Sequence, residues 1–132
     1  MAPFAVEVMR SNASYVFFTE IDVEDPALGP IGSAGVPLTP GYSLAVDRTY
    51  HAMGAPVYVN VELADGTPFQ RLMVAQDTGG AIRGPIRGDI FFGYGDEAAE
   101  LAGPMRGMGE MWVLVPNAVA TRIMAEQEAA DQ

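Results

Sequence analysis

Three aspartates stand at the ends of predicted strands, and they are the side chains best placed to carry out chemistry: Asp47, Asp77 and Asp89. A strand end fixes the position of a side chain, and the loop beside it leaves room for a ligand. A carboxyl group held in this way can serve as a general acid or base. A single aspartate after a strand is also a common turn or cap residue, so the case rests on the three together.

The stretch between Asp77 and Asp89 is rich in glycine and reads QDTGGAIRGPIRGDIFFG from residue 76 to residue 93. Glycine costs chain entropy, so a segment with this much of it usually shapes the backbone for a close approach to a ligand. Asp89 precedes the apolar residues Ile90-Phe91-Phe92. We expect these neighbours to exclude water from the carboxyl group and to raise its pKa toward the range of a general acid.

The composition is that of a folded, acidic domain. The chain has 132 residues, 49% of them hydrophobic, which suffices for one domain with its own core. Its net charge is -10, and its seven basic residues are all arginine. Such an acidic surface repels phosphate backbones and anionic lipid, so we expect no nucleic acid and no membrane surface as partner. The longest apolar run, residues 111–116, is too short to span a bilayer.

The sequence offers no pattern typical of a metal or cofactor site. It contains no cysteine, which excludes disulfides, thiolate metal sites and thiol nucleophiles. His51 is the only histidine, and the spacing around it supplies no partners for a metal site or a serine triad. We therefore expect no metal and no cofactor, and we interpret His51 as a loop residue.

Short β-strands dominate the predicted secondary structure. Runs of β-branched, aromatic or alternating apolar residues predict strands at 15–19, 43–47, 56–63, 69–75 and 111–115. Asp65-Gly66 predicts the turn of a hairpin between the strands at 56–63 and 69–75. Residues 4–10 fit a short helix, and a long loop is expected from residue 20 to residue 41. Loops of that length in small domains are usually functional.

Two helices are expected in the second half of the chain. The first has Asp96 as its N-cap and stops at Gly103-Pro104. The second begins at Pro116 or Asn117 and runs through Glu128, after which the chain is expected to fray. Since strands dominate and do not alternate with helices, a small closed or nearly closed barrel fits better than a doubly wound sheet.

Asp77-Thr78-Gly79 also matches the D-T-G motif of aspartic proteases, whose small retroviral members dimerise to complete a pair of carboxylates. Two such aspartates that share a proton form a hydrolytic site. Gln76 before the motif and Gly80 after it depart from the usual residues of that family. The motif leaves a homodimeric aspartic protease as an alternative function.

Ordered motifs along the chain resemble the three-aspartate domain of the membrane-bound lytic murein transglycosylase A family. They include residues 43–48 (SLAVDR), 73–84 (MVAQDTGGAIRG), 87–93 (RGDIFFG) and 109–116 (GEMWVLVP). The resemblance runs from about Asn12 to Pro116. It implies a mainly β fold, a small six-stranded double-psi β-barrel with one or two short helices.

The resemblance implies an enzyme that acts on the glycan strands of peptidoglycan. Family members cleave the β-1,4 bond between N-acetylmuramic acid and N-acetylglucosamine without water and leave a 1,6-anhydromuramyl end. By motif position, Asp89 falls on the acid and base of the family, and Asp77 and Asp47 fall on two supporting aspartates. One carboxyl can serve twice if the C6 hydroxyl of the sugar is the nucleophile. The residues expected to bind the substrate are Gln76, Thr78, Gly79, Gly80, Ala81, Arg83 and Phe91.

Full-length members of the family also carry an N-terminal part of the barrel and an inserted second domain. We expect residues 1–132 to form a single three-aspartate barrel domain without either part. The barrel would then close with fewer strands, or it would borrow a strand from a partner in a domain-swapped homodimer. A glycan-binding or structural barrel without turnover is the alternative that this departure leaves open. The expected location is the periplasm or the cell envelope.

Overall fold

The computed structural model describes Glu20, Asp22, Asp25 and residues 27–131 with the exception of residue 106. The helix expected at 4–10 and the strand expected at 15–19 lie outside the described residues. The elements are, in chain order, β1 (Ser43–Val46), β2 (Pro56–Glu62), β3 (Pro68–Asp77), β4 (Gly88–Ile90), α1 (Asp96–Ala102), β5 (Gly109–Val113) and α2 (Asn117–Ala130).

These five strands form one sheet in the order β4-β1-β3-β2-β5. β1 and β3 run parallel, and the other neighbouring strands run antiparallel. The hairpin of β2 and β3 confirms the sequence prediction, and its turn is braced by a hydrogen bond of 2.9 Å from the Thr67 N–H to the Asp65 carboxylate. Gly66 has a φ of 84° in this turn, a conformation that glycine reaches at no steric cost.

The core lies on one face of the sheet. Its buried members come from the three central strands: Leu44 and Val46 from β1, Val57, Val59 and Val61 from β2, and Met73 and Ala75 from β3. Along β2 and the second half of β3 they alternate with more exposed residues, because successive side chains of a strand point to opposite faces. On the opposite face, Gln70, Asn60 and Glu110 form a ladder of side-chain hydrogen bonds, each 3.1 Å long.

The sheet curls until its two edge strands approach each other. A Cβ built on Gly88 of β4 would lie 3.3 Å from the Sδ atom of Met111 in β5. β4 and β5 stand at opposite ends of the strand order, so this proximity requires the sheet to bend round the core. The mainly β, barrel-like fold is thereby confirmed, with five strands in the described residues where six were expected.

The helices differ from the prediction at their ends. In α1 the N-cap position belongs to Gly95, with a φ of 86°, and Asp96 is the first helical residue. The glycine supplies the positive φ at which the chain enters the helix, while Asp96 adds negative charge to the first turn, where the helix dipole favours it. α2 continues to Ala130, beyond the expected end at Glu128, and buries none of its residues.

Two buried side chains fasten the loop after β3 to the end of β1. The Asp47 carboxylate, which is 4% exposed, accepts hydrogen bonds from the Thr49 N–H at 3.0 Å and from the Gly84 N–H at 2.9 Å. The Nε2–H of His51 donates to the carbonyl oxygen of Pro85 at 2.7 Å. His51 therefore lies in a loop, as interpreted from the sequence, but it is buried and joins that loop to the segment after β3.

The same contacts change the ionisation of Asp47. The Gly84 N–H, and after it Thr49, lower the pKa of Asp47 from its ordinary 3.8 to about 2. The Arg83 guanidinium, 3.8 Å from the carboxylate, contributes less. Hydrogen bonds to the charged form are responsible, so Asp47 remains an anion throughout the neutral range.

The sheet register predicts different effects for two adjacent residues of β3. Met73 is fully buried, whereas Leu72 is 49% exposed on the other face. Met73→Ala should lower the free energy of unfolding by about 2–5 kcal/mol, because it leaves a cavity in the core. Leu72→Ala, the matched control, should cost about 0.5 kcal/mol. Urea denaturation followed by circular dichroism measures both, and equal losses would contradict this register.

Asp47→Asn should lower the melting temperature at neutral pH, because an uncharged amide holds the two backbone N–H groups less well than a carboxylate does. The pKa of Asp47 is lowered on folding, so its contribution is complete above about pH 5 and is lost as the pH falls through about 4 toward 2. Thermal unfolding of both proteins should therefore show melting temperatures that converge in this window. The exposed Asp22→Asn variant is the control, and a wild-type advantage independent of pH would contradict the assignment.

Candidate active site

Asp77 and Asp89 lie on either side of β1 at the same level of the sheet. Ala45 pairs with Asp77 of β3 on one edge and with Asp89 of β4 on the other. Two strand spacings separate their Cα atoms by about 10 Å, and paired residues of neighbouring strands project from the same face. Both aspartates accordingly line one cavity of about 250 Å³. The structure thus brings together two of the three aspartates that the sequence singled out.

The rest of this cavity is mostly apolar. Phe91 and Thr78, both expected to bind the substrate, are among its lining residues, whereas Asp47 is not. The remaining members are Leu38, Ser43, Leu44, Ala45, Ile82 and Ile90. A cavity with apolar walls and two carboxyl groups at one level can hold an uncharged sugar ring against them.

Ser33 holds Asp77 in place. The Ser33 N–H and Oγ–H both donate to Asp77 Oδ1, at 3.0 Å and 2.8 Å, and Ser33 Oγ also lies 2.8 Å from Thr78 Oγ1. The loop that carries Ser33 is closed by a bridge between Ile31 and Pro37. Sequence reasoning missed Ser33: it assigned function to this long loop but had no signal for a partner 44 residues from Asp77.

Gln76 bonds within the protein rather than facing the cavity. The register of β1 against β3 passes from Leu44↔Ala75 to Ala45↔Asp77, so Gln76 is left over as a bulge. Its Oε1 accepts a hydrogen bond from the Oγ–H of Ser43, a residue only 1% exposed. Because of this bulge, Asp77 pairs with Ala45 in the place that Gln76 would otherwise take.

The glycine-rich segment forms the rim beside Asp77. Gly80, Ala81 and Arg83 are exposed, and Gly79 is half-buried against the side chain of Ile82. Ile82 is itself buried and lines the cavity. Of the residues expected to bind the substrate, Thr78 and Phe91 line the cavity and Gly79 lies against Ile82, whereas Gln76, Gly80, Ala81 and Arg83 are not among the lining residues.

The environment of Asp89 differs from the expectation. Its side chain is 48% exposed and forms a bidentate ion pair with Arg87, with Nε–Oδ1 at 2.7 Å and Nη2–Oδ2 at 3.2 Å. Ile90 cannot cover the carboxylate, because the next residue of a strand points to the opposite face. Asp89 is therefore not closed off from water as Ile90-Phe91-Phe92 had led us to expect, and the hydrogen bonds that Arg87 donates to Asp89 raise the pKa of Arg87.

Asp89 also borders a second, larger cavity of about 520 Å³, in which Arg87 is the basic group. Its apolar walls include Ile86, Phe92 and Met105. Asp89 is the one ionisable side chain that lines both cavities described here. It therefore stands between two spaces that a ligand could occupy.

The described residues contain no group of three or more histidine, aspartate or glutamate side chains that could hold a metal ion. No helix in this part of the chain is long and apolar enough to cross a membrane.

Comparison with known proteins relates this site to one family. The 3D domain family model matches residues 42–115, a range that contains all three aspartates. Membrane-bound lytic murein transglycosylase A of Vibrio cholerae is 38% identical over 115 residues, which cover 82% of this chain and 30% of that protein. The chain thus spans about 30% of the length of the curated relatives that it matches.

Solved structures agree with this relationship. The crystal structure of a membrane-bound lytic murein transglycosylase from Agrobacterium tumefaciens is 47% identical, with a TM-score of 0.76 over 89% of this chain and 32% of that chain. Escherichia coli MltA with bound chitohexaose is 36% identical, with a TM-score of 0.59 over 66% of this chain and 28% of that chain. The family model matches residues 42–115, which is more than half of the chain, and the fold agrees. The chain therefore belongs to the 3D domain family and corresponds to the C-terminal 3D domain of membrane-bound lytic murein transglycosylase A.

Proposed function

We propose that this chain is a lytic transglycosylase domain that cleaves the β-1,4 bond between N-acetylmuramic acid and N-acetylglucosamine in peptidoglycan. The observation that carries the proposal is the placement of Asp77 and Asp89 on one cavity, in a 3D domain whose relatives are named lytic murein transglycosylase. The chitohexaose bound to the Escherichia coli relative is a chain of β-1,4-linked sugars, which supports a glycan as ligand. The aspartic protease alternative has no such support, because its D-T-G motif lies inside the matched domain.

In the proposed reaction Asp89 acts as acid and then as base. Its carboxyl group gives a proton to the leaving oxygen of N-acetylglucosamine while the bond from that oxygen to C1 of the muramyl sugar breaks. The resulting carboxylate takes the proton of the C6 hydroxyl, whose oxygen bonds to C1 and closes the 1,6-anhydro ring. No water is consumed, so one carboxyl group suffices where a hydrolytic glycosidase uses two.

The different partners of the aspartates support this division of roles. Asp77 accepts two hydrogen bonds from Ser33, which fix its orientation. Asp89, among the described residues, is held by the side chain of Arg87 and is half exposed, so it can meet a ligand. Asp47 orients the rim of the site through Gly84.

The proposal extends to setting and assembly. The substrate is the glycan strand of peptidoglycan, and the protein works in the periplasm or at the cell envelope. Residues 1–132 form a single three-aspartate barrel domain. A domain-swapped homodimer is a proposed assembly, since the described sheet ends in two edge strands, β4 and β5.

Asp89→Asn should abolish turnover. With purified murein, the wild-type chain should release 1,6-anhydromuropeptides that mass spectrometry detects, and the variant should lower their rate of formation about 10²–10⁴-fold. The control is Asp96→Asn in the first turn of α1, outside both cavities, which should retain the wild-type rate. Equal product from wild type and Asp89→Asn would reject the catalytic role. Murein binding by the wild type without product would favour a glycan-binding barrel.

Ser33→Ala should reduce the rate of product formation about 10- to 100-fold, because Asp77 would lose the hydroxyl that orients it and misplaced groups lose rate of this order. Ser33→Thr keeps the hydroxyl and should recover most of the activity. Initial rates on murein, with circular dichroism as a check on folding, measure the effect. A Ser33→Ala variant as active as wild type would show that the orientation of Asp77 is immaterial.

A further inference from the structure

The ion pair of Arg87 and Asp89 occupies the edge of the site. Arg87 stands directly before β4, two positions from Asp89, and their side chains meet. Both are about half exposed, at 53% and 48%, and both oxygens of the carboxylate are engaged by the guanidinium. The planar fork of arginine matches a carboxylate in this way, whereas lysine offers only a point charge.

This pair opposes the acid step of the proposed function. A guanidinium bonded to both oxygens stabilises the charged carboxylate, whereas a general acid must carry a proton. Arg87 must therefore leave Asp89 before the leaving oxygen can be protonated. A carboxylate on the ligand could replace Asp89 as the partner of the guanidinium, because it offers the same two acceptor oxygens.

The surroundings of Arg87 fit such an exchange. Arg87 lines the larger cavity of about 520 Å³, and half of its surface is open to solvent, so the guanidinium can be reached by a ligand. Three of the other described arginines have partners elsewhere: Arg71 stacks on Tyr42 and Phe69, Arg83 lies near Asp47, and Arg122 lies near Glu126. The chain has a net charge of -10, so most of its surface repels anions. A basic group on a cavity next to the proposed catalytic carboxyl would attract an anionic ligand to that place.

We propose that Arg87 selects glycans that carry a carboxylate, and that it transfers from Asp89 to that carboxylate when the ligand binds. The proposal rests on the function proposed above. Muramyl glycans offer a carboxylate on the lactyl ether where the sugar carries no peptide, and on the peptide where one is attached. Either one pairs with Arg87 in the larger cavity, and Asp89, freed from the guanidinium, takes up a proton from solvent and becomes the acid.

Equilibrium binding tests the selectivity without any turnover. The ligands are the disaccharide of N-acetylglucosamine and N-acetylmuramic acid, with its free lactyl carboxylate, and diacetylchitobiose, the neutral sugar that lacks it. Wild type should bind the acidic disaccharide about tenfold more tightly than the neutral one, as expected for one charge-assisted contact. Arg87→Gln should lose this preference, and Arg87→Lys should keep only part of it. The control Arg122→Gln removes the same charge from the exposed helix α2 and should leave the preference unchanged.

A muropeptide whose lactyl carboxyl is tied up in the peptide bond distinguishes the two sources. If binding of this muropeptide depends on Arg87, the peptide carboxylate is the partner of Arg87. If only binding of the disaccharide with the free lactyl acid depends on Arg87, the lactyl carboxylate is the partner. The proposal would be overturned if wild type and Arg87→Gln showed the same preference for the acidic disaccharide and the muropeptide over the neutral sugar.

The pH profiles of the reaction test the transfer from Asp89. The profile of kcat/KM reports the free enzyme, in which Arg87 still pairs with Asp89, and that of kcat reports the complex, from which Arg87 has moved. In Arg87→Gln the alkaline side of the kcat/KM profile should move to higher pH, because the group that favours the carboxylate is gone, while that of kcat should stay in place and the Michaelis constant for murein should rise about tenfold. An unmoved kcat/KM profile would overturn the transfer. Wild-type selectivity without any anhydro product would support the role of Arg87 in binding and reject the transglycosylase function.

Discussion

The pairing of the short strand β1 along both of its edges is the constraint on which the site depends. β1 has four residues, and Ala45 pairs with Asp77 on one side and with Asp89 on the other. Leu44 and Val46, the neighbours of Ala45, are buried in the core. A slip of one residue in this pairing would expose Leu44 and Val46 and would turn the two carboxylates to the opposite face of the sheet. The same register therefore sets both the burial of apolar surface and the alignment of the acids.

The three aspartates share a motif, but their partners differ in kind. Asp47 bonds to backbone N–H groups, and Asp77 bonds to the backbone and hydroxyl of Ser33. Such donors are fixed by the fold, so these two carboxylates hold loops in place. Asp89 bonds to a long, half-exposed side chain, which can rotate away at little cost. A half-exposed side chain as its partner, instead of groups fixed by the backbone, distinguishes the carboxyl that the proposal assigns to proton transfer.

The field at Asp89 is the balance of two opposite charges. Asp77 shares a cavity with it, and the Arg87 guanidinium is bonded to both of its oxygens. A site balanced in this way responds to a ligand that neutralises one of the two charges. Its two cavities meet at Asp89, so a glycan that fills both would reach the acid from each side.

The sequence by itself determined the hairpin of β2 and β3, the buried strand β1 and the three aspartates, because these follow from local alternation, an Asp-Gly turn and a motif. The run at 111–115 was expected to be a buried strand, but β5 is mostly exposed. It could not determine that Asp89 is half exposed, since which neighbour covers a side chain depends on strand pairing. It also did not reveal Ser33 and Arg87 as partners of the aspartates. Ser33 lies 44 residues from Asp77, and Arg87 reads in the sequence as an ordinary surface charge. The pair of Arg87 and Asp89 is local, two residues apart. The tertiary structure decided the contact of Ser33 with Asp77 and the alignment of Asp77 with Asp89, because the fold, the sheet order and the bulge at Gln76 bring residues together that are distant in the chain.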